Sequence, residues 1–188
     1  MRSVLIALAA LLAGCASTPL TTTLERDAVQ GFDMSGRFSL RVDAGEQPAQ
    51  SASGRLEWTH RPPVSQLLIA NPLGHAVAEL NIAPGRSRLQ LADGSQRDGE
   101  DSEELIATVT GRRLPLTRLP DWLFGRGNET SRRLNDHLGR PLQLREAGWQ
   151  IDYDYDEERP GAPPARLTVR RSGDLELRLR IEEWKDSP

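Results

Sequence analysis

Hydrophobic and polar residues alternate along much of this chain, which predicts β-strands with one buried face and one solvent-exposed face. The clearest example is residues 174–182, where leucine or isoleucine at every second position alternates with a charged residue. The same period of two occurs in residues 37–42, 51–58, 141–145, 149–155 and 166–170. Turn sequences at 93–94, 147–148 and 172–174 are compatible with tight hairpins. With about eleven strand candidates, the pattern predicts a mainly β fold, an antiparallel barrel or a strongly curved sheet.

Short amphipathic segments interrupt the strands. Residues 101–104 (Asp-Ser-Glu-Glu) resemble a capping box that begins a helix, which Gly111 ends. Thr117 is predicted to cap a second helix over residues 118–124, and a further short helix is predicted over residues 22–30. The apolar side chains of the two mid-chain helices are Leu105, Ile106, Val109, Leu119, Trp122 and Leu123. Because these helices lie between hairpins, we expect them to cover the open end of the barrel.

Three tryptophans, Trp58, Trp122 and Trp149, lie on the apolar sides of their elements. Tryptophans commonly pack in solid cores, but they also line cavities for apolar ligands in the mouths of barrels. The sequence alone leaves both interpretations open. The candidate residues for a cavity and its lid are Phe38, Leu40, Leu56, Trp58, Leu105, Ile106, Val109, Leu119, Trp122, Leu123, Leu142, Leu144, Trp149, Ile151, Leu177 and Leu179.

An apolar residue is expected at the tip of the loop Asn71-Pro72-Leu73-Gly74, between predicted strands at 66–70 and 75–82. Asn in the first position, Pro in the second and Gly in the fourth favour a type I turn, which places Leu73 at the tip. A single exposed leucine is ordinary on a soluble protein. Near a bilayer, however, such a tip can insert among acyl chains.

The amino-terminal residues predict export and lipidation. After Arg2, residues 4–13 are all apolar, but at about 1.5 Å per residue they cover only half of a ~30 Å hydrocarbon core. They are typical of a secretory signal peptide, and Leu12-Ala13-Gly14-Cys15 resembles a bacterial lipobox. We therefore expect cleavage of residues 1–14, diacylglyceryl and N-acyl modification of Cys15, a tether over 15–23 and a single domain over 24–188. The alternative is an ordinary secreted protein with a chance cysteine.

Composition and charge argue against several classes of function. The 24 basic and 27 acidic residues leave a net charge of −3, so no nucleic-acid partner is expected. The single cysteine and the three scattered histidines predict no metal site. The acidic run within residues 152–158 lacks EF-hand spacing and continues into a Pro-rich segment, 154–165, which is typical of a solvated loop. The chain has no G-x-S-x-G motif, so neither an enzyme nor a cofactor is expected.

The order of these features resembles the LolB family of outer-membrane lipoprotein receptors. The Leu-Ile-Ala-Asn-Pro-Leu-Gly segment at 68–74 is the most specific part of the resemblance. The other parts, in chain order, are the lipobox, Ser-Gly-Arg-Phe-Ser-Leu at 35–40, Ser-Gly-Arg-Leu-Glu-Trp at 53–58, Leu-Pro-Leu at 114–116, Trp-Leu at 122–123 with Gly125, Gly-Trp at 148–149 and the final strand ending at Trp184. Together they cover essentially the whole chain after Gly14.

The resemblance implies a half-open antiparallel β-barrel of about eleven strands with a short-helix lid over an apolar cavity. It implies a monomeric receptor, anchored in the outer membrane and facing the periplasm, with Ala16 after the cysteine favouring that destination. The receptor would accept lipoproteins from the carrier LolA by their acyl chains and insert them into the inner leaflet, assisted by the leucine that matches Leu73. The alternative is a non-enzymatic envelope lipoprotein with a packed β-barrel and a structural or other ligand-binding role.

Overall fold

A single open sheet of eleven antiparallel strands dominates the computed structural model, which describes residues 25–44 and 47–186. The strands are β1 (Phe32–Ala44), β2 (Gln47–Arg61), β3 (Val64–Ala70), β4 (Ala76–Ala83), β5 (Arg86–Leu91), β6 (Gln96–Gly99), β7 (Arg132–Asn135), β8 (Pro141–Glu146), β9 (Trp149–Asp154), β10 (Arg166–Arg171) and β11 (Leu175–Asp186). Their order is β6-β5-β4-β3-β2-β1-β11-β10-β9-β8-β7. The first and last strands therefore pair at the centre, and β6 and β7 form the two edges. The predicted mainly β, half-open architecture is confirmed.

The inner face of the sheet surrounds one hydrophobic core. Leu80 of β4 and Leu89 of β5 belong to the same buried cluster as Ile151 of β9 and Val169 of β10. Because these strands lie in opposite halves of the sheet, the sheet must curve around the cluster. Alternation along each strand produces this arrangement, since every second side chain points to the inner face.

Two helices lie between β6 and β7. Helix α1 (Ser102–Thr110) packs against β5 and β6 and begins as predicted, with Asp101 Oδ1 accepting the amide hydrogens of Glu103 at 2.8 Å and Glu104 at 3.2 Å. Gly111 ends α1 with a φ of 72°, a left-handed conformation that glycine adopts without strain. None of the described helices is long and apolar enough to cross a bilayer.

Helix α2 (Leu119–Leu123) is shorter than expected, and the prediction that Thr117 caps it is wrong. The Thr117 hydroxyl instead donates to Glu103 Oε1 of α1 at 3.1 Å. A turn that begins at Pro115 leads into α2, because the Pro115 carbonyl accepts the amides of residues 118 and 119. The prediction of a helix over 22–30 is also wrong for its described part, since residues 25–30 form no helix and contain a turn at 26–28.

Leu142 does not face the interior as predicted; it is 51% exposed. The pairing of β7 with β8 is irregular, because Leu134 lies opposite Gln143 whereas the next residue, Asn135, lies opposite Pro141. Leu142 is thus the extra residue of a bulge, where the alternation of faces is interrupted. Its neighbour Leu144, beyond the bulge, is fully buried.

Gly54 of β2 is required by close packing at the end of β3. A β-carbon at this position would lie 2.0 Å from the carbonyl oxygen of Ala70 and 3.0 Å from a ring carbon of Phe38. We expect Gly54→Ala to lower the free energy of unfolding by about 2 kcal/mol in urea denaturation, since backbone must move to relieve the clash. The matched control is Gly99→Ala, whose β-carbon would make only an ordinary contact with Leu105 at 3.4 Å. Equal stability of the two variants would contradict the prediction.

Candidate functional site: an apolar cavity beside an exposed leucine

A cavity of about 360 Å³ lies between the inner face of the sheet and helix α1. Its walls come from β1, β2, β3, β4 and β11, and its roof comes from α1, the segment that connects α1 to α2, and the first residue of α2. The predicted residues that line it are Phe38, Leu40, Leu56, Trp58, Ile106, Val109, Leu119, Leu177 and Leu179. The described residues of the wall include no titratable side chain. The cavity is therefore an environment for an apolar ligand.

The other half of the barrel is filled. Trp122, Leu123, Leu144, Trp149 and Ile151 are buried there and do not line the cavity. Leu105 does not line it either, because it faces Gly99 of β6 from α1. The rings of Trp122 and Trp149 lie 6.1 Å apart, and the Tyr153 hydroxyl donates to the Trp122 carbonyl at 2.7 Å. The prediction that the residues of this half line a cavity is wrong, because the side chains of α2 occupy the space in front of β8 and β9. Both interpretations of the tryptophans thus apply, each in a different half of the molecule.

Sequence reasoning missed part of the wall. The additional apolar residues are Val42, Ala52, Leu67, Ile69, Ala70, Val77, Ala78, Leu80, Leu114 and Leu116. Leu67 and Ile69 occupy alternate positions of β3, so the period of two could have identified them. Leu114 and Leu116 lie outside the helices and strands, where no periodicity indicates which side chains face inward.

The cavity is open to solvent close to the turn formed by residues 71–74, here called the Leu73 turn. Ala70 and Asn71, at the base of this turn, form part of the wall. Val77 of β4 and Val109 of α1 also line the cavity, yet they are 39% and 50% exposed. A ligand that enters between α1 and β4 would therefore pass beside the Leu73 turn.

The Leu73 turn has the predicted conformation. The Gly74 amide donates to the Asn71 carbonyl at 2.9 Å, which closes the turn. The side-chain oxygen of Asn71 accepts the amides of Leu73 at 2.9 Å and His75 at 3.0 Å. Gly74 has a φ of 90°, which favours glycine. As a result Leu73 is held at the tip and is 83% exposed, so contact with an apolar phase requires little ordering of the loop.

Charged groups attach the start of α2 and the segment after α1 to the sheet. The Glu146 carboxylate of β8, 2% exposed, accepts hydrogen bonds from Arg118 Nε at 2.7 Å and from the Asn128 amide at 2.9 Å. Burial raises the pKa of this carboxyl, but these hydrogen bonds outweigh burial and hold the pKa below its ordinary value of 4.5. Beyond α1, Arg112 donates to Asp174 Oδ1 at 2.7 Å and to the Asp43 carbonyl at 3.1 Å.

The family assignment follows from comparison with known proteins. A model described as outer membrane lipoprotein LolB matches residues 30–184. The chain belongs to the LolB family. The outer-membrane lipoprotein LolB of Dechloromonas aromatica is 48% identical over 100% of this chain and 99% of its own length. The LolB of an Azoarcus species is 36% identical over 94% of this chain and 90% of its own length.

This LolB-family chain is accordingly an outer-membrane lipoprotein, the location that the resemblance implies. A solved structure of a DUF1329 family protein from Desulfovibrio piger is similar in fold, with a TM-score of 0.50 at 10% identity, covering 86% of this chain and 88% of that one. The likeness concerns the fold alone. The predicted signal peptide (1–14), the lipidation site Cys15 and the tether (15–23) lie outside the described residues.

Proposed function

We propose that this LolB-family lipoprotein accepts lipoproteins from a LolA-like periplasmic carrier, shelters their acyl chains in the cavity and inserts them into the inner leaflet of the outer membrane. One observation carries the proposal: the wall of an apolar cavity continues into the base of a turn with an exposed leucine at its tip. The same molecule therefore has a cavity that can bind acyl chains and, beside it, an exposed apolar side chain that can contact the membrane.

The hydrophobic effect makes such a receptor necessary. A cargo with three acyl chains of about 16 carbons exposes on the order of 45 methylenes, each costing about 0.8 kcal/mol in water. Free diffusion through the periplasm is therefore negligible, and acyl chains must pass from one cavity to the next. A receptor that binds acyl chains more tightly than the carrier, but less tightly than the membrane, needs no nucleotide or other cofactor for this transfer.

The roof of the cavity is not part of the sheet, since α1 packs mainly against β5 and β6. We propose that α1 moves away from β4 when cargo enters, at the side where Val77 and Val109 are already exposed. The buried Trp58 Nε1, which has no hydrogen-bond partner in the described structure, then offers a donor to an ester or amide carbonyl of the cargo.

The membrane anchor belongs to the same proposal. Acylation of Cys15 with two or more chains gives stable attachment, whereas one chain binds only marginally. The short tether, 15–23, keeps the domain close to the bilayer, and one domain with its own cavity can act as a monomer. The cavity wall has polar side chains such as Gln50, Asn71 and Thr110 but no acid, base or thiol nucleophile, which favours transport over catalysis.

Filling the cavity tests the proposal directly. Ala78 lines the cavity and is buried, so we expect Ala78→Phe to occupy space that an acyl chain needs. In the wild type, a fluorescent fatty acid such as cis-parinaric acid should bind saturably and quench tryptophan fluorescence. We expect Ala78→Phe to weaken this binding at least about tenfold, equivalent to 1.4 kcal/mol.

The matched control is Ser39→Phe, which adds a phenyl ring on the outer face of β1 next to Leu40. It should bind the probe like the wild type and should still take cargo from a loaded carrier, whereas Ala78→Phe should not. The absence of saturable binding in the wild type would support the packed-barrel alternative instead.

A further inference from the structure

Four arginines lie side by side across the centre of the sheet. Arg37 of β1 is in register with Arg55 of β2 on one side and with Arg180 of β11 on the other. Arg180 is in register with Arg166 of β10. Neighbouring strands are about 4.8 Å apart, so this arginine row extends over roughly 14 Å. All four side chains belong to the outer face, because their neighbours along the strands point into the barrel.

The arginine row is unfavourable for the folded sheet by itself. Like charges directly opposite each other in neighbouring strands repel, and the row contains three such pairs in a chain with a net charge of −3. Arg37 and Arg166 have exposed ion pairs, with Glu182 at 2.7 Å and Asp156 at 2.8 Å. Arg55 and Arg180 are exposed and have neither an ion pair nor a side-chain hydrogen bond among the described residues.

One end of the row adjoins the Leu73 turn. Arg55 lies opposite Ala70, the last residue of β3, and the turn begins at the next residue. A surface that receives Leu73 is therefore next to the start of the row. Long arginine side chains can extend along the protein and place their charged ends at such a surface. Guanidinium groups bind phosphate oxygens in a bidentate manner, which makes them well suited to phospholipid headgroups.

We propose that the arginine row binds anionic phospholipid headgroups and so orients the anchored domain with the Leu73 turn towards the bilayer. The inference rests on the proposed function, in which Leu73 contacts the membrane, and assigns to the outer face of the sheet a second contact with the same surface. The tether limits how far the domain can move from the membrane, but it leaves the domain free to rotate. A row of cations that starts at the Leu73 turn would restrict both the distance and the orientation of the domain.

The test uses the full-length lipidated chain in vesicles of phosphatidylcholine, with or without phosphatidylglycerol. Cys15 is the only cysteine, so with Cys15 acylated a Leu73→Cys variant accepts one environment-sensitive dye at the tip.

We expect phosphatidylglycerol to increase the fraction of dye inserted, and salt to reverse the increase. Each basic residue near an anionic surface contributes about fivefold. Arg55→Gln with Arg180→Gln should therefore reduce the lipid-dependent increase by at least about tenfold.

A matched pair, Arg88→Gln with Arg132→Gln, removes the same charge from β5 and β7 and should keep the response. Arg55→Lys with Arg180→Lys keeps the charge but loses the bidentate geometry, so it should keep part of the response, which separates charge from folding. The proposal would be overturned if Arg88→Gln with Arg132→Gln reduced the lipid-dependent insertion of the dye as much as Arg55→Gln with Arg180→Gln. The proposal would also be overturned if Arg55→Gln with Arg180→Gln slowed cargo uptake from the carrier in neutral vesicles and left the dye response unchanged. That result would identify an acidic protein as the partner of the arginine row. Failure of the proposed function is recognised separately, by the absence of fatty-acid binding in the wild type.

Discussion

Leu73→Glu is expected to leave cargo uptake from the carrier unchanged and to slow cargo insertion into vesicles by about tenfold to a hundredfold. Burying a leucine side chain contributes roughly 2 kcal/mol, equivalent to about thirtyfold, and a glutamate must in addition be desolvated to enter the same region. The turn itself should not change, because Asn71 and Gly74 hold it and the Leu73 side chain is exposed.

The measurement follows receptor already loaded with cargo and records the fraction of cargo that co-sediments with vesicles over time. The matched control is Leu134→Glu, which places the same charge on another exposed leucine, at the β7 edge of the sheet. This control should insert cargo at the wild-type rate. If both variants insert cargo equally fast, Leu73 has no special part in release.

Glu146→Ala is expected to lower the free energy of unfolding by about 3 kcal/mol, because it removes one partner of a buried ion pair and leaves the Asn128 amide without its acceptor. Arg118 is 35% exposed and regains some hydration, so the decrease in stability should be at the lower end of the range for buried ion pairs. Urea denaturation near neutral pH measures this decrease. Asp98→Asn, which removes the partner of exposed Arg88, should change stability little.

The same carboxyl predicts a dependence on pH. Its folded-state pKa lies below 4.5, so its stabilising contribution is complete above that value and is lost as the pH falls through the folded-state pKa. Wild-type stability should therefore decrease in acid, and Glu146→Gln should show a smaller decrease over the same range. Parallel pH profiles for the two proteins would show that Glu146 does not contribute to acid sensitivity.

Local chemistry explains which parts of the fold could be predicted. The Leu73 turn follows from Asn, Pro and Gly at fixed positions, and β11 from an uninterrupted alternation of side chains. The edge strands β6 and β7 are short and mostly exposed, so they have no apolar period and are recognised only from the strands they pair with. Alternation alone places Leu142 on the wrong face, because a bulge depends on pairing with a neighbouring strand, which residues 141–145 do not reveal.

The boundary between the hollow and solid halves could not be predicted for a related reason. Periodicity indicates that Trp58 and Trp149 both face inward, but it does not indicate what lies opposite each of them. Trp149 meets Trp122 of α2, whereas the space in front of Trp58 is left open below α1. That difference depends on where the two helices lie across the curved sheet. The Arg118–Glu146 pair, which connects the start of α2 to β8, joins residues 28 positions apart.

The place of β1 in the sheet has a mechanical consequence for an anchored protein. β1 is the first of the described strands and lies between β2 and β11, with hydrogen bonds to both along nearly its whole length. Tension transmitted from the amino-terminal side therefore reaches a strand that two long ladders hold in the sheet. An edge strand such as β6 or β7 has one neighbour only, so detaching β1 from the sheet requires more hydrogen bonds to break.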